Sequence, residues 1–308
     1  MAPLHPLEQA LVEDPDNRAA YEVYADWLLA AGDPRGELVR THLDLEHTPP
    51  GPEADMLTTR AAELEAACPG VSSSGSIDWR YGFIDQLFIG AGEDEDLAWL
   101  ADLLEQPVGR LIRKIESNLP QPVTPLLELL AKVKPPLLRH LELGSWNPRH
   151  EPGEYECELG DMSEVWVHRR LEQLTVCGRV TGWGAIDAPS LVSFDLGAYH
   201  LTDGLTAMER AHWPKLETLA LECLSTGAAD VDWILAGKNL SQLKHLALRR
   251  GALPEEREHA VAAAPIVRQL ETLDLNLCAW HQPDSRRRSE AVRPKDPRFA
   301  HLKTFVCK

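Results

Sequence analysis

The spacing of apolar residues repeats along most of this chain. An apolar-x-x-apolar-x-apolar pattern begins at Leu138 (LRHLEL), Leu171 (LEQLTV), Leu191 (LVSFDL), Leu216 (LETLAL), Leu243 (LKHLAL) and Leu270 (LETLDL). Weaker copies begin at Ile84 (IDQLFI), Ile112 (IRKIES) and Leu302 (LKTFVC). Successive starts lie 28, 26, 33, 20, 25, 27, 27 and 32 residues apart, with the longer intervals read as inserted loops. In each copy the closing apolar-x-apolar alternates with period two, which predicts a short strand with one side buried. Between the strands the apolar residues take helical spacing, as with Leu97, Leu100 and Leu104 in 93–107, and again in 228–239 and 254–270.

Such a unit cannot stand alone. Three aliphatic side chains on one strand contribute roughly 5–9 kcal/mol gross on burial. Ordering the backbone of some 25 residues costs about 1–2 kcal/mol each, so a copy folds only when stacked on its neighbours. The expected architecture is an α/β solenoid of about eight or nine irregular repeats over residues 77–308, with short parallel strands and helices on the convex side.

Residues 1–66 read differently, as a small all-helical cap. Asp14-Pro15-Asp16-Asn17 supplies a capping signal ahead of RAAYEVYADWLLAA, whose apolar face is Tyr21, Tyr24 and Leu28 with Ala20, Trp27 and Ala31. Gly32 ends that helix, and Asp33-Pro34 opens another with Leu38, His42 and Leu45 inward. After the break HTPPGPEADM a further helix runs through Leu57, Ala61 and Leu64.

The repeated pattern resembles leucine-rich repeats over about residues 77–308. It departs from their commonest form after the strand, where a ladder of Asn or Cys is usual and this chain has Trp146, Arg179, Tyr199, Leu224, Gly251 and Cys278. The N-terminal stretch VEDPDNRAAYEVYADWLLAAGDPRGELVRTHLDLE, together with WRYGFIDQLFI, resembles the bacterial repeat-companion domain, a helical module found ahead of leucine-rich repeats. That resemblance implies architecture and no activity.

Composition narrows the partner. The net charge of −17 argues against a general nucleic-acid binder, which needs a basic footprint. Residues 1–70 hold 4 Lys/Arg against 14 Asp/Glu, a balance of −10, whereas residues 279–308 hold 8 against 3, a balance of +5. Six cysteines lie scattered without a CxxC pair, which fits reduced thiols in a cytoplasm. No basic leader and no apolar run of about 18 residues is present, so the expected protein is soluble, with no membrane contact.

Catalytic signatures are sparse. Ser241-Gln-Leu-Lys244 has SxxK spacing, but Leu243 is a repeat position and the segment leads into a strand, so the helical pairing of Ser and Lys is lost. His140, Cys177 and His245 fall on different repeats, too far apart to meet one metal ion, and His150 with Cys157 makes only two ligands. Trp99, Trp166 and Trp233 sit at core spacing. Trp146, Trp183, Trp213 and Trp280 fall beside strands, where an aromatic either packs or anchors a partner.

No catalytic residue, cofactor or metal is therefore expected. The expected function is non-enzymatic recognition of another protein through the outward strand side chains: His140, Glu142, Gln173, Thr175, Ser193, Asp195, Thr218, Glu222, His245, Arg249, Thr272 and Asp274. Two alternatives stand beside it. One is polyanion or nucleic-acid contact through the basic 284–298 loop with Arg286, Arg287 and Arg288; the other is a hydrolase in the 144–170 insertion.

Overall fold

The computed structural model describes residues 4–71, 76–90, 95–118, 122–144, 158–198, 202–223, 231–250, 261, 263–275 and 299–307. They form a mixed α/β protein with a long, mostly parallel sheet and no closed barrel. The chain divides into two compact units, Met1–Glu116 with Lys132–Leu138, and Ser117–Ala131 with Arg139–Lys308.

The first unit begins with four helices: α1 (Pro6–Glu13), α2 (Arg18–Ala30), α3 (Arg35–His47) and α4 (Pro52–Ala66). Asn17 caps α2 by accepting from the Ala20 N–H, and Gly32 turns the chain out of it at φ 71°. Asp33 accepts from the Arg35 N–H at the head of α3 and pairs with the Arg35 guanidinium at 2.7 Å. Next come β1 (Ser76–Arg80) and β2 (Phe83–Ile89), an antiparallel hairpin closed by the two residues Tyr81 and Gly82, then α5 (Glu95–Glu105) and β3 (Lys114–Ser117).

Leu11, Tyr21, Tyr24, Leu28, Val39 and Leu43 from the helices share one buried cluster with Tyr81 and Phe83 of the hairpin. Of the faces expected for α2 and α3, Tyr21, Tyr24, Leu28 and Leu38 are buried, but Ala31 is exposed, and α3 gives this cluster Val39 and Leu43 where the part-buried His42 and Leu45 were expected. Trp27 is another exception at 39% exposed, and His5 stacks on its ring at 4.1 Å.

The second unit carries seven parallel strands in the order β4 (His140–Leu143), β6 (Gln173–Cys177), β8 (Ser193–Ala198), β9 (Thr218–Cys223), β10 (His245–Arg250), β11 (Thr272–Leu275) and β12 (Thr304–Cys307). Each of the nine sequence copies supplies one strand, β2 and β3 being those of the first two. The copies also share backbone wiring. The carbonyls of Arg139, Glu172, Val192, Glu217, Lys244 and Glu271 each accept two successive N–H groups from the start of the next strand.

The leading Leu of each Leu-initiated copy donates its N–H to the carbonyl three residues back, at Pro135, His168, Ala188, Trp213, Leu240, Val267 and Phe299. That position is buried throughout, so His168 stands where the other copies place an apolar side chain.

The connections are short: α6 (Thr124–Val133), α7 (Thr202–Glu209), α8 (Asp232–Leu235) and 3-10 turns at Ser163–Val167 and Pro265–Gln269. Of the helix expected over 228–239, only the single turn α8 is found among the described residues 231–239, and most of 254–264 lies outside the described residues. Within the 144–170 insertion, β5 (Glu158–Asp161) pairs in parallel with β7 (Arg179–Gly182) as a separate two-stranded sheet.

Trp166, Trp183, Trp213 and Trp233 are all buried, and with Phe194 they form a chain of ring contacts 5.9–6.5 Å apart. Trp183 and Trp213 therefore pack and do not anchor a partner. Trp146 and Trp280 lie outside the described residues.

Candidate strand-face site

The parallel register sorts the outward side chains of the second unit into rows. The first runs His140, Gln173, Ser193, Thr218, His245, Thr272 and Thr304. The second runs Glu142, Thr175, Asp195, Ala220, Ala247, Asp274 and Val306. A third, along Cys177, Gly197, Glu222 and Arg249, lies one step closer to the strand ends.

Between the rows, Leu141, Leu174, Phe194, Leu219, Leu246 and Leu273 are all at most 2% exposed, which fixes the phase of every strand. All twelve expected face residues sit on these rows, outside the core. The rows also hold positions that the polar pattern concealed. Ala220 and Ala247 are outward in register yet buried.

Charge on this face is concentrated. Arg249 Nε donates to Asp274 Oδ2 at 2.9 Å, and the guanidinium also attracts Asp195 and Glu222. Burial pulls the Arg249 pKa down, but the Asp274 hydrogen bond and the surrounding carboxylates outweigh it and hold it above the ordinary arginine value. Burial raises the Asp195 carboxyl above its usual range, against the pull of Arg249 and with help from Glu222 and Glu142. The Cys177 thiol is pushed up to about 12, first by burial and then by Asp195, Glu222 and Glu142, while the Gly197 backbone bond opposes the rise. A thiol held so far from ionisation is a poor nucleophile and a poor metal ligand. His245 shares a 2.9 Å hydrogen bond with the Thr272 hydroxyl, which ties two strands of the first row together.

One step before every strand of this unit's parallel run except β8, which Val192 precedes, lies an ion-pair partner: Arg139 with Glu172, Lys244 with Glu217 at 2.9 Å, and Lys303 with Glu271 at 2.6 Å. They are solvated and contribute little each, but they border the rows with alternating charge.

Among the described residues no group of three or more His, Cys, Asp or Glu is arranged to hold a metal ion. A cleft of about 260 Å³ lined by Ser76, Asp78, Gln86, Leu87, Phe88 and Glu116 is smaller than the ~300–1,000 Å³ usual for a small-molecule pocket. No described helix is long and apolar enough to cross a membrane. Arg286, Arg287 and Arg288, with the rest of the 284–298 loop, lie outside the described residues, as do His150, Cys157 and Cys278.

No protein-family model matches the chain. No curated protein matches it either. Among solved structures it is similar to an uncharacterised protein from Bacteroides fragilis, with 17% identity over 71% of this chain and 68% of that one and a TM-score of 0.47. The parallel sheet and the recurrent wiring fit a repeat-like α/β fold.

Proposed function

We propose that the chain is a leucine-rich-repeat protein that binds another protein through the outward rows of β4–β11. On this reading, the N-terminal helices act as a companion cap, and the protein works in the cytoplasm without chemistry of its own. The observation that carries the proposal is the register. Side chains that alternate with fully buried Leu and Phe leave a continuous first row of His, Gln, Ser and Thr and a second row of Glu, Thr and Asp interrupted by Ala220 and Ala247, spaced by the interstrand distance. Such residues can vary without disturbing the core, and that freedom makes a solenoid face adaptable to a partner. The carboxylates of Glu142, Asp195, Glu222 and Asp274 outnumber the Arg249 guanidinium on these rows, so a protein of mixed charge fits the face better than a polyanion.

The test is site-specific photocrosslinking in extracts of the native cell. A benzophenone side chain is placed at Gln173 or Thr218 on the face, and at His212, in the segment connecting β8 to β9. The expected outcome is one discrete protein adduct from both face positions and none from His212. Adducts from His212 alone would refute the proposal.

A further inference from the structure

In the first unit His42 is held from both sides. The backbone N–H of Gly82, in the turn between β1 and β2, donates to His42 Nδ1 at 3.1 Å. On the other side His42 Nε2 lies 2.8 Å from Glu65 Oε1, on α4. The side chain is only 10% exposed, and the ring of Trp79 on β1 stands edge-on to it at 6.4 Å. One imidazole thus joins α3, α4 and the hairpin.

These contacts fix the tautomer. A backbone N–H only donates, so Nδ1 must present its lone pair, and the proton of the neutral ring then sits on Nε2 and is donated to Glu65. A second proton has one place to go, Nδ1, where it points at the Gly82 N–H. Protonation in place therefore expels that amide, while the new positive charge is held by Glu65.

The turn that loses its bond is already under constraint. Tyr81 and Gly82 both have positive φ, 47° and 75°, and a Cβ on Gly82 would meet Val39 Cγ2 at 2.6 Å. What then keeps the turn in place is Tyr81, whose hydroxyl donates to Glu46 at 2.7 Å and whose ring lies 4.7 Å from Tyr21.

We infer that His42 is a proton-operated clamp on the β1–β2 turn, closed when the imidazole is neutral and opened when it gains a proton. The groups facing it are Glu65 from α4, the Trp79 ring from β1 and the Gly82 amide from the turn. Glu46, one turn further along α3, is turned to Tyr81 and Arg18.

The full chain can be tested by nuclear magnetic resonance between pH 8 and pH 5. The experiment follows the ring nitrogens of His42 and the solvent exchange of the Gly82 amide, corrected for its intrinsic pH dependence. The expected result is an Nε2–H ring at pH 8, with Gly82 protection falling at least tenfold in step with ring protonation. His42→Asn offers an acceptor oxygen that does not titrate, and it should keep Gly82 protection independent of pH. Glu65→Gln, which removes the charge that receives the imidazolium, should move the loss of protection to lower pH. An Nδ1–H ring at pH 8, a ring still neutral at pH 5, or an imidazolium with Gly82 protection unchanged would each overturn the inference.

Discussion

Asp195 shows how far a single residue on the strand face departs from an ordinary surface carboxylate. Its folded-state pKa is raised, chiefly by burial, so the native protein favours the protonated acid more than the unfolded chain does. A raised acid costs stability as pH rises from the ordinary carboxylate range through the folded value. Asp195→Asn should therefore be more stable than wild type at pH 7 in denaturant titration, with the advantage vanishing on acidification. A variant less stable at pH 7 would show that attraction to Arg249 outweighs burial.

Other residues were opaque in the sequence for a similar reason. The pattern reads Ala220 and Ala247 as apolar and says nothing of their burial on the outward row. Trp183 and Trp213 fall next to strands and invite a binding role, yet the ring contacts through Phe194 place both in the core. His168 could have been found by its place three residues ahead of a leading Leu, the site that other copies fill with buried apolar residues.

At the scale of elements, the strands were the most legible. Period-two alternation is a direct image of a pleat with one buried side, and all nine marked copies form strands where the pattern puts them. The connections were less so. The described residues 231–239 keep only the helical turn Asp232–Leu235, in which Trp233, Ile234 and Leu235 bury together within a span too short to propagate a helix. Sequence spacing also missed the pairing of Glu158–Asp161 with Arg179–Gly182, since each segment is four residues long with a single large apolar side chain, Leu159 or Val180.

The strand phase can be tested directly. Leu219 is fully buried, so Leu219→Ala should cost about 2–5 kcal/mol, whereas Thr218→Ala, one residue away on the outward row, should stay within about 0.5 kcal/mol of wild type. Equal costs in denaturant melts would put the register, and every face assignment with it, out of phase.

At the scale of the whole molecule, the double acceptance at Arg139, Glu172, Val192, Glu217, Lys244 and Glu271 gives the second unit the same backbone contact at six strand starts. The first unit is organised differently, around Tyr21, Tyr24, Tyr81 and Phe83. The motifs of its sequence serve that packing: Tyr24 of YADWL hydrogen-bonds buried Glu8, Asp33 and Arg35 of GDPRGE pair with each other, and Tyr81 of WRYGF sits in the core.

The most direct measurement of the central claim is the dissociation constant of the crosslinked partner for the wild-type chain, for Gln173→Arg with Thr218→Arg, and for His212→Gln as a control in the connecting segment. Two guanidinium groups set on the first row should weaken binding at least tenfold, about 1.4 kcal/mol, with unfolding curves unchanged and the control at wild-type affinity. Wild-type affinity in the double variant, with the control weakened, would contradict the assignment of the strand face as the binding surface.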